Sequence, residues 1–387
     1  MSALLFILLF LLMFSGILYA LMMLSFTFKW LSIPVFTRTG KLPETLITVI
    51  IPSRNEELNI AKCLKNILAQ NYPHKLTEII VADDNSTDNT AAIVEKIIAE
   101  NPGRTIHLLK LKDVSATALF KKRAITEAVA VAHGKLIVTT DADCWMGKEW
   151  IAGIAEYYQL HQPKMLLSPV TFSEEKSVFE KLQTLEFIGY IGVSAAAVAM
   201  KNPLMCNGAN LAYEREVFNA VGGYKYNDSL ASGDDVFLML KIKKMFPGSI
   251  HFLKSREAIV QTFAQKSMSD FFQQRKRWLS KRPGYKDFSV IGTALLVYAF
   301  NFFVLLGFAL SFFAAGNSFM ILFTLLFLLK CFSDFVFLYP VAKFFGRREL
   351  LWLFLPEQIL VIVYVTLMGI IGSNGKYRWK GREITNP

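Results

Sequence analysis

Residues 3–26 of this chain are apolar without interruption, and three more apolar stretches follow at Phe288–Ala315, Phe319–Tyr339 and Leu350–Gly372. A run of about 20 apolar residues is long enough to cross the hydrocarbon core of a bilayer. The four stretches therefore constrain the chain to a membrane protein with one large polar segment between its first and second apolar regions. Composition agrees: 53% of the 387 residues are hydrophobic and 33 are Phe, too apolar for an ordinary soluble domain.

The net charge of +11 admits two readings, nucleic-acid binding or basic segments set against anionic lipid. With no nucleic-acid-binding signature in the chain, the membrane reading is the better one. The four cysteines, Cys63, Cys144, Cys206 and Cys331, are widely spaced and form no Cys-x-x-Cys pair, and the five histidines are scattered. Neither a disulfide framework nor a zinc site is indicated. Any metal is expected on carboxylates.

Charge next to the apolar stretches sets an expected topology. No basic residue precedes residues 3–26 and no small-residue cleavage site follows, which reads as a signal anchor over residues 1–30. Lys29, Arg38 and Lys41 place the following segment in the cytoplasm, as in a bacterial-type inner membrane. Asn317 and Ser318 join the next two stretches without charge, whereas Lys343, Arg347 and Arg348 join the last two. Four full spans would leave the basic tail, residues 373–387 with Lys376, Arg378, Lys380 and Arg382, on the outer side. Pro356 and Glu357 interrupt the last stretch, so a re-entrant or interfacial course is expected there, returning the tail to the cytoplasm. Lys330 and Asp334 are spaced i,i+4 within an apolar stretch and can pair; a structural pair between packed spans and a functional site are both open.

The polar segment, residues 46–267, begins with strand–helix alternation. Leu46–Ile51, Leu76–Ala82, Thr105–Leu111 and the run from Leu136 read as strands. Between them, the stretch holding Ile60, Leu64, Ile67 and Leu68, then Ala91–Glu100 and Ala118–Ala132, read as helices. Asn55, with Glu56 and Glu57, can cap the first of these. Such alternation implies right-handed crossovers and a mainly parallel sheet whose ligands sit at the carboxyl ends of the strands. Polar residues collect at those ends: Ser53-Arg54-Asn55-Glu56, then Asp83 through Asp88, then Asp141 and Asp143. The last pair, one residue apart after a buried strand, suits a hard divalent cation that keeps sites for phosphate oxygens; a solvated turn is the plain alternative.

Beyond residue 170 the alternation stops. Ser177–Met200 reads as a helix that lies against the membrane or packs in the core. Met268–Arg282, with Phe271, Phe272, Trp278, Leu279 and several basic residues, reads as an amphipathic interface helix within residues 268–287. Residues 288–372 form the membrane region with about three apolar segments.

Five motifs occur in order: Thr48-Val-Ile-Ile-Pro-Ser-Arg-Asn-Glu-Glu57, Val81-Ala-Asp-Asp-Asn-Ser-Thr-Asp88, Thr140-Asp-Ala-Asp143, Gly233-Asp-Asp235 and Gln274-Arg-Lys-Arg-Trp278. Together they resemble a membrane-bound family-2 glycosyltransferase of GT-A fold. Trp379-Lys-Gly-Arg382 resembles, more briefly, the tail of ceramide and carotenoid glycosyltransferases. The resemblance implies an α/β nucleotide-diphospho-sugar transferase domain with a Rossmann-like mixed sheet, plus transmembrane and interfacial helices. It also implies a UDP- or GDP-sugar donor, Mg²⁺ or Mn²⁺, a lipid acceptor reached at the cytoplasmic face, and no nucleic acid.

By match to those motifs, Pro52, Arg54, Glu56 and Asp83 or Asp84 would hold the nucleoside, the carboxylates through charge-assisted hydrogen bonds. Asp88 fits a helix cap instead. Lys122, with Arg123 beside it, falls where a basic residue reaches the donor, and Arg277 would engage the diphosphate. Asp141 and Asp143 would bind the nucleotide and the metal. Asp235 matches the general base that takes the acceptor hydroxyl's proton; Asp-Asp stands where the family commonly has Glu-Asp, which keeps Asp234 as an alternative. Asn207 and Gly208, in Asn207-Gly-Ala-Asn-Leu-Ala-Tyr213, would border the acceptor, with Gln274 and Trp278 beside it. The alternatives are a processive polysaccharide synthase, which shares Gln-x-x-Arg-Trp, and a non-catalytic membrane scaffold on the same fold.

Overall fold

In the computed structural model the described residues are 3–111, 120–225, 233–312, 318–371, 376–380 and 382–385. A long helix, α1 (Ala3–Ser32), leads into an alternating segment: β1 (Ile47–Ser53), α2 (Ile60–Leu68), β2 (Thr77–Asp83), α3 (Thr90–Glu100), β3 (Thr105–Lys110), α4 (Phe120–Val131) and β4 (Leu136–Thr139). The elements then shorten and mix: β5 (Trp145–Met146), α5 (Trp150–His161), β6 (Met165–Leu167), β7 (Val170–Phe172), α6 (Val178–Ala199), β8 (Leu211–Glu214), α7 (Arg215–Ala220), α8 (Asp234–Met245), β9 (Ile250–Phe252) and β10 (Val260–Thr262). Last come α9 (Met268–Leu279), α10 (Phe288–Ser311), α11 (Ser318–Phe345), α12 (Phe354–Ile371) and a hairpin of β11 (Lys376–Trp379) and β12 (Arg382–Thr385).

The main sheet has seven strands in the order β3-β2-β1-β4-β8-β6-β9. Its first four are parallel, as strands joined by crossover helices must be. β8 then runs antiparallel to both β4 and β6, which makes the sheet mixed. β1 carries Ile47, Val49, Ile50 and Ile51, all fully buried, because helices cover both faces of the parallel half. The start of the helix expected from residue 118 lies outside the described residues.

Two registers position the site. β1 pairs with β2 so that Ser53 lies opposite Asp83, which sets their two polar ends side by side. β4 pairs with β8 so that Thr139 lies opposite Leu211, which brings the loop before β8 against the Asp-x-Asp turn.

Two local expectations are corrected. Asn55 does not cap α2: it takes a left-handed conformation (φ 50°), and its Oδ1 accepts from the Thr87 N–H at 2.9 Å. Pro356 does not interrupt the last helix. It falls in the first turn of α12, where the missing N–H has no intrahelical partner to lose.

Among the described residues, five helices are long and apolar enough to cross a membrane: α1, α6, α10, α11 and the segment that includes α12. Of these α6 is the most enclosed. Ser177 and Glu180 form a reciprocal capping box at its start, and the helix packs between β7 and β9 on one side and α1 and α11 on the other. Its close approach to α11 needs Gly192, where a Cβ would lie 2.7 Å from Val341. The bundle is bolted to the sheet domain at the end of α1, where Trp30 packs edge-on against Phe252 and Phe344. There the Lys254 ammonium reaches the Trp30 carbonyl at 2.7 Å, a cation placed on a helix carboxyl terminus.

Residues 348–371 begin against the sheet domain. Arg347 donates to the Phe172 carbonyl at 3.2 Å and pairs with Glu175 at 2.8 Å, while β11, after α12, packs along α9. Between those points Gln358 accepts from Lys330, which also pairs with Asp334 at 2.6 Å, and Tyr19 donates to Asp334 at 2.8 Å. Lys330 and Asp334 are thus paired inside the bundle and tie α1, α11 and α12 together.

Candidate active site

The carboxyl ends of β1 and β2 are clasped by their own turns. The Asp84 N–H donates to the Ser53 carbonyl at 2.9 Å. Arg54 donates to the carbonyls of Asp84 and of Asn85, the latter at 2.9 Å. Asp83 accepts from the Ser86 N–H at 3.2 Å. Pro52 lies opposite Ala82 in the β1–β2 register. Asp88 accepts from the Thr90 N–H at 3.0 Å, at the start of α3. Glu56 is buried, receives Asn59 Nδ2 at 2.8 Å and forms an ion pair with Lys380 of the tail.

Beyond β4, Asp141 meets Lys121 rather than Lys122: the Lys121 Nζ lies 2.6 Å from Asp141 Oδ1. Lys122, one position and about 100° further round α4, is buried with its ammonium 5.7 Å from the centre of the Phe237 ring, and Arg123 pairs with Glu127 at 3.3 Å. Burial acts to lower the Lys121 pKa, but Asp141, Asp234 and Asp235 outweigh it and hold the ammonium charged. Sequence reasoning passed over Lys121. The signal was its place one turn before Ala124 and Ile125, both on the buried stripe of α4.

Burial and the negative charge of Asp141 push the Asp143 carboxyl up to about 6. Two crowded carboxylates of this kind fit a divalent cation, whose charge would relieve the repulsion. Among the described residues no group of three or more His, Cys, Asp or Glu converges on one point, so a cation there would draw the rest of its shell from water and phosphate oxygens.

Asp234 and Asp235 open α8, and the turn before them requires glycine. Gly233 has φ +90°, and a Cβ on it would lie 2.7 Å from the Phe237 ring. Asp235 accepts from the Gly208 N–H at 3.1 Å and the Val236 N–H at 2.8 Å, with the Lys281 ammonium at 3.5 Å. Burial raises its pKa, yet Lys281, Lys121 and the two N–H groups prevail and hold it below the usual aspartate value. Asp234 shifts the other way, through burial and the charge of Asp235 against the opposing pull of Lys121.

The loop before β8 closes this side. Asn207 accepts from the Ala209 N–H at 2.9 Å, and the Gly208 carbonyl accepts from Thr139 Oγ1 at 2.8 Å. A Cβ on Gly208 would lie 3.6 Å from Lys121 Nζ. Among the described residues, the hydroxyls of Ser53 and Thr140, at the ends of β1 and β4, are buried with no hydrogen-bond partner. Unpaired groups at those positions are what a polar ligand would satisfy.

On α9, capped by Ser267, Gln274 and Arg277 are partly exposed. Trp278 packs on Phe187 and Tyr190 of α6, and the Arg275 guanidinium stacks 4.2 Å from the centre of its ring. Arg275 is buried and ion-pairs with Glu186. It too escaped sequence reasoning, although it follows the apolar Phe271 at i+4, where a buried cation demands a partner.

The structure therefore draws Asp141, Asp143, Asp234, Asp235, Asn207 and Gly208 around Lys121, with Arg54, Glu56, Asp83 and Asp84 at the neighbouring strand ends.

Comparison with known proteins agrees with this architecture. The sequence model of glycosyl transferase family 2 matches residues 48–222, and that of glycosyl transferase family group 2 matches residues 136–368. The chain is similar to beta-monoglucosyldiacylglycerol synthase of Nostoc sp. (strain PCC 7120), 30% identical over 121 residues, 31% of this chain and 24% of that protein. It is also similar to 4,4'-diaponeurosporenoate glycosyltransferase of Staphylococcus aureus (strain N315), 31% identical over 145 residues, 37% and 36% of the two chains. The matched segment spans only about a quarter to a third of the length of those curated relatives. In structure the chain shares its fold with a mannosyltransferase from Pyrobaculum calidifontis solved with GDP-Man and Mn²⁺. That likeness has a TM-score of 0.59 and 19% identity, and covers 91% of this chain and 96% of the other.

Proposed function

Because the chain belongs to glycosyl transferase family group 2, we propose that it moves one sugar from a UDP- or GDP-sugar to a hydroxyl of a membrane lipid, with inversion, at the cytoplasmic face. The observation that carries this reading is Asp235. It is partly buried beside Lys281, kept ionised, and hydrogen-bonded to the loop through Gly208, as a base needs to be when it meets a hydroxyl at neutral pH.

The roles follow from position. Arg54, Glu56 and Asp83 or Asp84, with Pro52, form the nucleoside end of the cleft. Asp141 and Asp143 would hold Mg²⁺ or Mn²⁺, which when bound supplies positive charge to the departing diphosphate. Lys121, and Lys122 and Arg277 nearby, add positive charge for the donor. The acceptor oxygen attacks the anomeric carbon from the side of Asn207 and Gly208, the bond to the diphosphate oxygen breaks, and Asp235 takes the hydroxyl proton. Asp234 is the neighbouring carboxylate, Gln274 lines the acceptor side, and Trp278 serves by bracing α9 on α6. A lipid acceptor is supported by the surroundings: α6 and α9 join the cleft to helices long and apolar enough to cross a membrane. Residues 1–30 then act as anchor, 46–267 as catalytic domain, 268–287 as interface helix, and 288–372 as membrane region.

Incubating the full chain in lipid nanodiscs with labelled UDP- and GDP-sugars and a bacterial lipid extract tests the reading. Label that enters organic solvent as singly glycosylated lipid supports it. Label that accumulates as water-soluble polymer overturns it in favour of a processive synthase.

A further inference from the structure

The transfer described above gives no task to the carboxyl-terminal hairpin, yet the hairpin reaches the donor end of the cleft. Trp379 pairs with Arg382 across a two-residue turn, and Lys380 occupies the turn's first position with φ 49°, the left-handed geometry that tight hairpins use. β11 packs along α9 and Tyr377 is only 2% exposed, so the turn has a fixed base. Arg277 and Lys281 of the α9 region lie close enough to act electrostatically on Tyr377.

At the turn, the Lys380 ammonium ion-pairs with Glu56. Glu56 is 5% exposed, and its second oxygen is taken by Asn59. The pair stands at the carboxyl end of the parallel strands, where ligands of such sheets bind, the same end at which the unpaired hydroxyls of Ser53 and Thr140 lie. A nucleotide sugar presents two kinds of group: hydroxyl and base N–H donors suited to a carboxylate, and a diphosphate suited to an ammonium.

We propose that Lys380 is a donor-binding residue: the hairpin walls the nucleotide cleft, and when donor enters, Glu56 accepts from the nucleoside while Lys380 passes to a diphosphate oxygen. No covalent step is involved. The inference rests on the nucleotide-sugar reading of the preceding section.

The test is equilibrium binding to the full chain in lipid nanodiscs, with UDP, GDP, uridine and guanosine as probes and Mg²⁺ present. Lys380→Ala is expected to weaken binding of the preferred nucleoside diphosphate about tenfold or more, the scale of a charged hydrogen bond. The matching nucleoside should bind nearly as before. Lys380→Arg should recover most of the loss, and Lys380→Gln, which keeps the stem without the charge, should behave as Ala does. Equal diphosphate affinity in wild type and Lys380→Ala overturns the proposal alone. A loss as large for the nucleoside as for the diphosphate also overturns it, marking Lys380 as a structural strap. Wild-type protein that binds neither UDP nor GDP overturns the donor reading, and this inference with it.

Discussion

The backbone N–H of Gly208 donates to the carboxylate of Asp235 at 3.1 Å, joining the loop that precedes β8 to the first turn of α8. Residues from two separate parts of the chain are held in one geometry by that bond. It orients the carboxylate while leaving it ionised, since the Lys281 and Lys121 ammonium groups and two N–H donors together overcome the effect of burial.

Asp235→Asn keeps the shape of the side chain and an acceptor for one of the Gly208 and Val236 N–H groups, which fall on different oxygens of Asp235, and removes the proposed proton acceptor. Sugar transfer should fall about 10²–10⁴-fold, the range of general-base catalysis, while affinity for nucleoside diphosphate is retained. Transfer rates measured beside nucleotide binding check this, and unchanged turnover would remove Asp235 from the mechanism.

Lys121→Met should leave Asp141 without its 2.6 Å partner and reduce the screening among Asp141, Asp234 and Asp235 to what Lys281 supplies. A charged hydrogen bond contributes about 1.5–3 kcal/mol, so transfer should drop roughly tenfold to a hundredfold. Lys122→Met, which removes the ammonium beside the Phe237 ring, should cost less transfer. Steady-state rates of the two variants side by side decide between the neighbouring lysines.

Gly233→Ala meets two obstacles, a backbone at φ +90° and the Phe237 ring 2.7 Å from the new Cβ. A destabilisation of about 1–3 kcal/mol is expected, with Asp234 and Asp235 displaced from the loop. The melting temperature and the turnover rate should both fall.

At the opposite end of the sheet, Glu78 bonds to Thr48 and to both the N–H and the ring of His133. Burial raises its pKa, but these hydrogen bonds outweigh it and leave the carboxyl below its ordinary 4.5. A depressed carboxyl contributes stability above its unfolded-state pKa and loses it as pH falls through the folded value. The gap in melting temperature between wild type and Glu78→Gln should therefore be full at neutral pH and shrink as pH falls below about 4.5. Thermal melts across that range provide the measurement, and a constant gap would contradict the assignment.

Much of the architecture was legible in the chain because it is periodic. The β-branched runs of β1, β2 and β4 and the helices between them dictate a parallel half-sheet, and the long apolar stretches dictate helices long and apolar enough to cross a membrane. Asp141, Asp143 and Asp235 could be named from motif order, since carboxylates at strand ends and helix starts stand out locally. Lys121 and Arg275 are harder to name, because a place on a buried stripe marks a cation without identifying its partner. Glu186 lies far from Arg275 in sequence, and Asp141 is separated from Lys121 by a helix and a strand.

The chain by itself therefore determined the elements, the order of the strands' polar ends and the residue types able to bind a nucleotide and move a proton, for these follow from short-range pattern. Only the tertiary structure decided that β8 enters antiparallel and carries Gly208 to Asp235, that Lys121 rather than Lys122 meets Asp141, and that Lys380 from the tail reaches Glu56. Those contacts depend on registers and helix phases set by packing between distant segments, and no local pattern records them.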